Sequence, residues 1–177
     1  MNYRIPLLLI SFVMVISACD KKEDDEPKPF CSCDGNYLKL SDTGIRMVFP
    51  TAFTANDDGR NDWFRPAFSA LDTTNLAPGS YNLTVLNTSQ AVEFQTNSPQ
   101  IGWNGILPSD ATSKPNKFFY TVSFKTISGR EFDTCGCVTV YRIPYDSCLV
   151  NGSSFFFEDQ FDSTGTPIYN THENICP

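Results

Sequence analysis

The chain has 177 residues, 41% of them hydrophobic and 14% aromatic, and a formal charge of −7. That length holds one modest domain with additions. The acidic balance, without a basic patch, argues against nucleic acid and anionic lipid as partners.

Met1 to Arg4 is a short start with one positive charge, and an apolar run follows from Ile5 to Ile16. This run is too short to span a bilayer, which needs about 20 apolar residues. A charged start, an apolar run and small residues before a cleavage point describe a secretory signal peptide. Val15-Ile16-Ser17-Ala18-Cys19 resembles a bacterial lipobox, which implies cleavage before Cys19 and acylation of that cysteine. One acyl chain binds a membrane marginally, whereas two or more anchor stably. Loss of Arg4 with the leader takes the 13 basic residues to 12 against 20 acidic, a formal −8.

Asp20 to Pro29 is charged, Pro-containing and without apolar residues, so it reads as a solvated tether. Within it, Lys22-Glu23-Asp24 resembles the signal that sends Bacteroidota lipoproteins to the outer face of the outer membrane. Six further cysteines follow: Cys31, Cys33, Cys135, Cys137, Cys148 and Cys176. An even number in an exported protein reads as disulfides. Alternate residues of an extended chain point the same way, so Cys31/Cys33 and Cys135/Cys137 suit two adjacent bridges, with Cys148 and Cys176 closing the remaining loop. Six cysteines allow 15 connectivities. A four-thiolate zinc site is the rival, although zinc usually takes wider spacing such as Cys-X2-Cys. Closing a loop of roughly 100 residues is worth about 4–5 kcal/mol in the chain-entropy model.

From Val48 onward, short runs rich in Val, Thr, Tyr and Phe alternate with Gly, Asn, Asp and Pro clusters, which predicts an all-β fold. Val48 to Phe53 is extended and apolar, and Asn56-Asp57-Asp58-Gly59-Arg60-Asn61-Asp62 is a turn. Tyr81 to Asn87 and Ala91 to Thr96 alternate and pair through Thr88-Ser89-Gln90. Gly102-Trp103-Asn104-Gly105 is a tight turn around an aromatic anchor. Lys117 to Lys125 is the strongest strand, Thr126 to Glu131 its turn region, and Gly136 to Arg142 the closing strand.

In this order the motifs resemble the gliding motility-associated C-terminal domain of Bacteroidota, the type B sorting domain of the type IX secretion system. The family's opening "PNAFTPNGDGxNDxF"-like motif is matched from Pro50 to Phe64, through Phe53, Asn56, Asp58, Gly59, Asn61, Asp62 and Phe64. Its "GWDG" is matched by Gly102, Trp103, Asn104 and Gly105, its "YxYxVxFxxxxG" by Phe118 to Gly129, and its final "GxVTLxR" by Gly136 to Arg142. The resemblance implies a small immunoglobulin-like β-sandwich of about seven strands, here with a disulfide-closed C-terminal extension. The family usually ends a long secreted cargo, and its "NRWG" turn is replaced here by Asn87-Thr88-Ser89-Gln90. The expected organisation is a leader over 1–18, tether and first cysteine pair over 19–45, the sandwich over 46–143 and the extension over 144–177.

No cofactor is expected, with calcium the candidate for the acidic turn. Calcium takes six to eight oxygens, and Asn56, Asp58 and Asp62 are its candidate ligands, with Gly59 permitting the bend. Against this stands an Asx-rich turn whose side chains hold their own backbone. His172 is the sole histidine and sits in a polar tail, so no catalytic triad can be placed on it. Trp63 and Trp103 read as core anchors, with ligand platforms the alternative, and Phe155-Phe156-Phe157 as a segment covering a sheet edge, with a partner-binding patch the alternative. Asp72-Thr73-Thr74 and Asp162-Ser163-Thr164 resemble Bacteroidota O-glycosylation sites. The expected function is non-catalytic: an outer-membrane lipoprotein, held by acylated Cys19, that docks to a component of the type IX secretion or gliding apparatus. The alternative is an adhesive or glycan-binding surface lipoprotein independent of that system.

Overall fold

The structure, a computed structural model, describes residues 31–34, 37–42, 44–68, 70–106, 116–141, 156–162 and 165–168. Within them the chain is all-β, with two sheets, one four-residue helix (α1, Ala70–Thr73) and a short 3-10 turn at Glu158–Gln160. Strands β1 (Leu38–Asp42), β2 (Ile45–Phe49) and β4 (Ala67–Phe68) form the small antiparallel sheet in the order β1-β2-β4. Strands β3 (Ala52–Thr54), β5 (Asn82–Leu86), β6 (Val92–Thr96), β7 (Asn116–Lys125) and β8 (Glu131–Tyr141) form the larger one, ordered β3-β8-β7-β5-β6. Among the described residues eight strands stand where about seven were expected. The first sheet begins at Leu38, inside the segment read as tether, because Leu38 and Leu40 supply a short apolar alternation that the neighbouring charges obscure.

Pro50 explains how one apolar run serves both sheets. It has no N–H and cannot extend a ladder on that side. β2 therefore ends at Phe49, and β3 resumes two residues on, in the other sheet and parallel to β8. Period-two alternation sets the core. On β7, Phe118, Tyr120, Val122 and Phe124 are buried, and on β8 Gly136, Val138 and Val140 share that face. They meet Met47 and Phe49 from the small sheet, and Phe49 stacks on Tyr120 at 5.1 Å between centroids. Gly136 lies opposite Tyr120, and a Cβ there would fall inside the Tyr120 phenol. Burial pushes the Tyr81 and Tyr120 phenols well above the usual tyrosine range, with Tyr81 adding to the effect on Tyr120, and Tyr141 is pushed up to about 12.

Cys135 and Cys137 point to the opposite face of β8. There they receive the extended segment 31–34 through two bridges, Cys31–Cys135 and Cys33–Cys137, with Cα separations of 5.9 and 5.4 Å. Cys148 and Cys176, expected to bridge each other, lie outside the described residues. After β8 the chain returns to cover an edge. Thr51 N–H donates to the Phe156 carbonyl at 2.8 Å, and Phe156 N–H donates to Thr51 Oγ1 at 2.9 Å. Phe157 packs with Ala52 and Tyr141, and Phe156 with Tyr37 and Phe161. Phe156 and Phe157 thus act as the expected edge cover, while Phe155 lies outside the described residues.

Candidate functional site

The acidic turn follows β3, which fixes its near end by a Thr54 N–H bond to the Asn61 carbonyl at 2.8 Å. Asp57, Gly59 and Asn61 adopt positive φ of 59°, 86° and 48°. Asn and Asp tolerate that region best among side-chain-bearing residues. The side chains then satisfy the backbone. Asp58 N–H donates to Asn56 Oδ1 (3.3 Å), Arg60 N–H to Asp58 Oδ1 (2.9 Å) and Gly59 N–H to Asp62 Oδ2 (2.6 Å). Asn56 Nδ2 donates to Asp58 Oδ2 at 3.2 Å. Asn61 and Asp62 are buried at 6% and 8% exposure, and Asp62 Oδ1 is enclosed without a hydrogen-bond partner. The candidate calcium ligands Asn56, Asp58 and Asp62 each accept a backbone N–H within the loop. Among the described residues no three His, Cys, Asp or Glu side chains are grouped to hold a metal ion.

Beside this turn opens a cleft of about 550 Å³, walled by residues 59–63, Arg65 to Phe68, Pro99-Gln100 and the returning segment at Glu158, Phe161 and Asp162. Its two sides are joined by an ion pair between Arg65 Nε and Glu158 Oε1 at 2.5 Å. A second, smaller cleft of about 330 Å³ lies along the bridges, lined by Cys31 to Asp34, Lys117 and Thr139 among others.

Most residues of the four motifs serve the sandwich itself. Phe53 and Phe64 are 0% exposed and Trp103 3%. Phe64 and Trp103 exchange both backbone hydrogen bonds, at 2.7 and 2.9 Å. Gly105, at φ 69°, admits the Phe53 ring, since a Cβ would lie 2.7 Å from Phe53 Cζ. Gly102 lies against Trp63, with the same construction placing a Cβ 2.9 Å from Trp63 Cβ. Trp103 is thus a core anchor as expected, but Trp63 is not: it stands 46% exposed at the cleft. The reason is local. Consecutive residues of an extended chain face opposite ways, and Phe64 takes the inward place. That rule applied to Asp62-Trp63-Phe64 was the available signal. The Arg65–Glu158 wall had none, because its halves are 93 residues apart.

Of the candidate modification triplets, Asp72 is buried 4.0 Å from Arg46 and Thr74 is exposed, while Ser163 and Thr164 lie outside the described residues. So do Cys19, Lys22, Glu23, Asp24, Arg142 and His172. No helix among the described residues is long and apolar enough to cross a membrane.

No family model and no curated protein matches the chain. Among solved structures the chain is similar to CopC from Methylosinus trichosporium OB3b, at 9% identity and a TM-score of 0.33. That match covers 65% of this chain and 100% of the other.

Proposed function

We propose that the protein is a non-catalytic, lipid-anchored outer-membrane module that works by docking to a component of the type IX secretion or gliding apparatus. The observation that carries this reading is where the residues of the four ordered motifs fall. Phe53, Phe64 and Trp103 meet in the core, Gly105 makes room for Phe53, and the two late motifs are β7 and β8. The resemblance therefore rests on a set of residues that pack together in space as well as following one another in sequence. Docking by a preformed, cross-linked surface avoids most of the ordering cost of association. An acyl anchor on Cys19 would add to this by raising the local concentration at the membrane.

The test is a pull-down with the full chain from detergent-solubilised outer membrane. Recovery of an outer-membrane barrel or other component of the secretion or gliding machinery is expected. Recovery of none of them overturns the reading. Cys19→Ser is expected to release the protein from the membrane fraction.

A further inference from the structure

An exposed indole leaves in water a large apolar surface whose burial would be favourable. Trp63 is held in that position by its neighbours: Phe64 beside it fills the core, and Gly102, where a Cβ would lie 2.9 Å from Trp63 Cβ, leaves room for it. It borders a cleft whose volume, about 550 Å³, falls within the range of small-ligand sites. Of the other walls, Phe68 and Pro99 are half-buried and Phe161 is buried, so Trp63 is the exposed apolar side chain of the lining, and Arg60, Gln100, Glu158 and Asp162 supply polar residues.

The charges bear on the class of ligand. Arg65 is already engaged by Glu158, and the lining holds two arginines against three carboxylates, so nothing in it favours an anion. A greasy peptide groove would need more than one exposed apolar platform. A neutral molecule with a flat C–H face and many hydroxyls matches both features. Its C–H face is weakly positive and suits the negative face of an indole, while vicinal hydroxyls suit amide, guanidinium and carboxylate groups that donate and accept in pairs.

We propose that this cleft binds a neutral saccharide, with Trp63 as the stacking platform and Gln100 and Arg60 as hydroxyl-reading groups at the rim. The site is independent of the docking reading above, and failure of either leaves the other standing. The test uses the full chain titrated with cellohexaose, xylohexaose, mannohexaose and laminarihexaose, following tryptophan emission and calorimetric heat. At least one is expected to bind in the micromolar to millimolar range. Trp63→Ala should weaken that binding at least about tenfold and Gln100→Ala about threefold, while Trp63→Phe, which keeps an aromatic face, retains most of it. Both positions are exposed, so the thermal melts of these variants should match the parent. The proposal is overturned if none of the four sugars binds, if affinity survives Trp63→Ala, or if the cleft takes only peptides.

Discussion

Gly105 and Gly59 both sit at positive φ, yet the structure separates their roles. A Cβ at Gly105 would strike Phe53, whereas nothing lies within 4 Å of one at Gly59. Gly59→Ala should therefore cost the backbone penalty alone, about 1–2 kcal/mol. Gly105→Ala should add the overpacking penalty and cost roughly 2–5 kcal/mol. Urea melts of the two variants check the order, and equal losses would show that Phe53 yields easily. Trp63 makes the complementary case. Its replacement should leave stability nearly unchanged, whereas Trp103→Ala should cost about 3–5 kcal/mol, as its ring is closed in by Phe53 and Phe118.

Among the elements, the paired bridges invite a cycle of variants. Each spans 104 residues, but once one is closed the other ties only two short stretches together. In the chain-entropy model, loss of either bridge alone should cost about 2 kcal/mol, and loss of both roughly 5–7. Urea melts of the paired Cys→Ser variants should thus be strongly non-additive. The β5–β6 hairpin and strand β7 were legible in the sequence, because alternation and turn residues act over a few positions, whereas β8 was read only from Gly136 and in fact begins at Glu131. At β5–β6, Asn87 Oδ1 accepts from the Ser89 and Ala91 amides at 2.9 and 3.0 Å, and so supplies the turn without the family's "NRWG". The paired cysteines were legible too, since their equal spacing survives any distance along the chain. β1 was missed because five residues with a lysine and an aspartate carry too little pattern. The sheet change at Pro50 and the cleft were missed because both depend on contacts between distant segments. Phe157 tests one such contact: Phe157→Ala should cost about 3–5 kcal/mol and loosen the edge beside Thr51, read as faster amide exchange there.

For the molecule as a whole, the buried phenols set an alkaline limit. A phenol whose folded-state pKa lies above its unfolded value contributes fully below the unfolded pKa, near 10. Above that pH the unfolded chain ionises while Tyr81, Tyr120 and Tyr141 stay protonated in the fold. Stability should therefore hold level up to about pH 9.5, then fall by up to roughly 1.4 kcal/mol per pH unit for each of these groups. Absorbance at the phenolate band should show these three of the seven tyrosines ionising together with unfolding. Separate ionisation at pH 10 would mean that the core admits water.

The bridges also govern what happens under tension. A pull that enters at residue 31 and leaves at Tyr141 crosses straight from Cys31 and Cys33 into β8, so the stretch between Cys33 and Cys135 bears no force. Single-molecule stretching between those ends should give almost no lengthening while the sulfur links hold. After reduction, the freed 104-residue loop should pay out about 35 nm, at roughly 3.4 Å per extended residue. A protein wired this way transmits a tug along one short path and keeps the rest of its body slack.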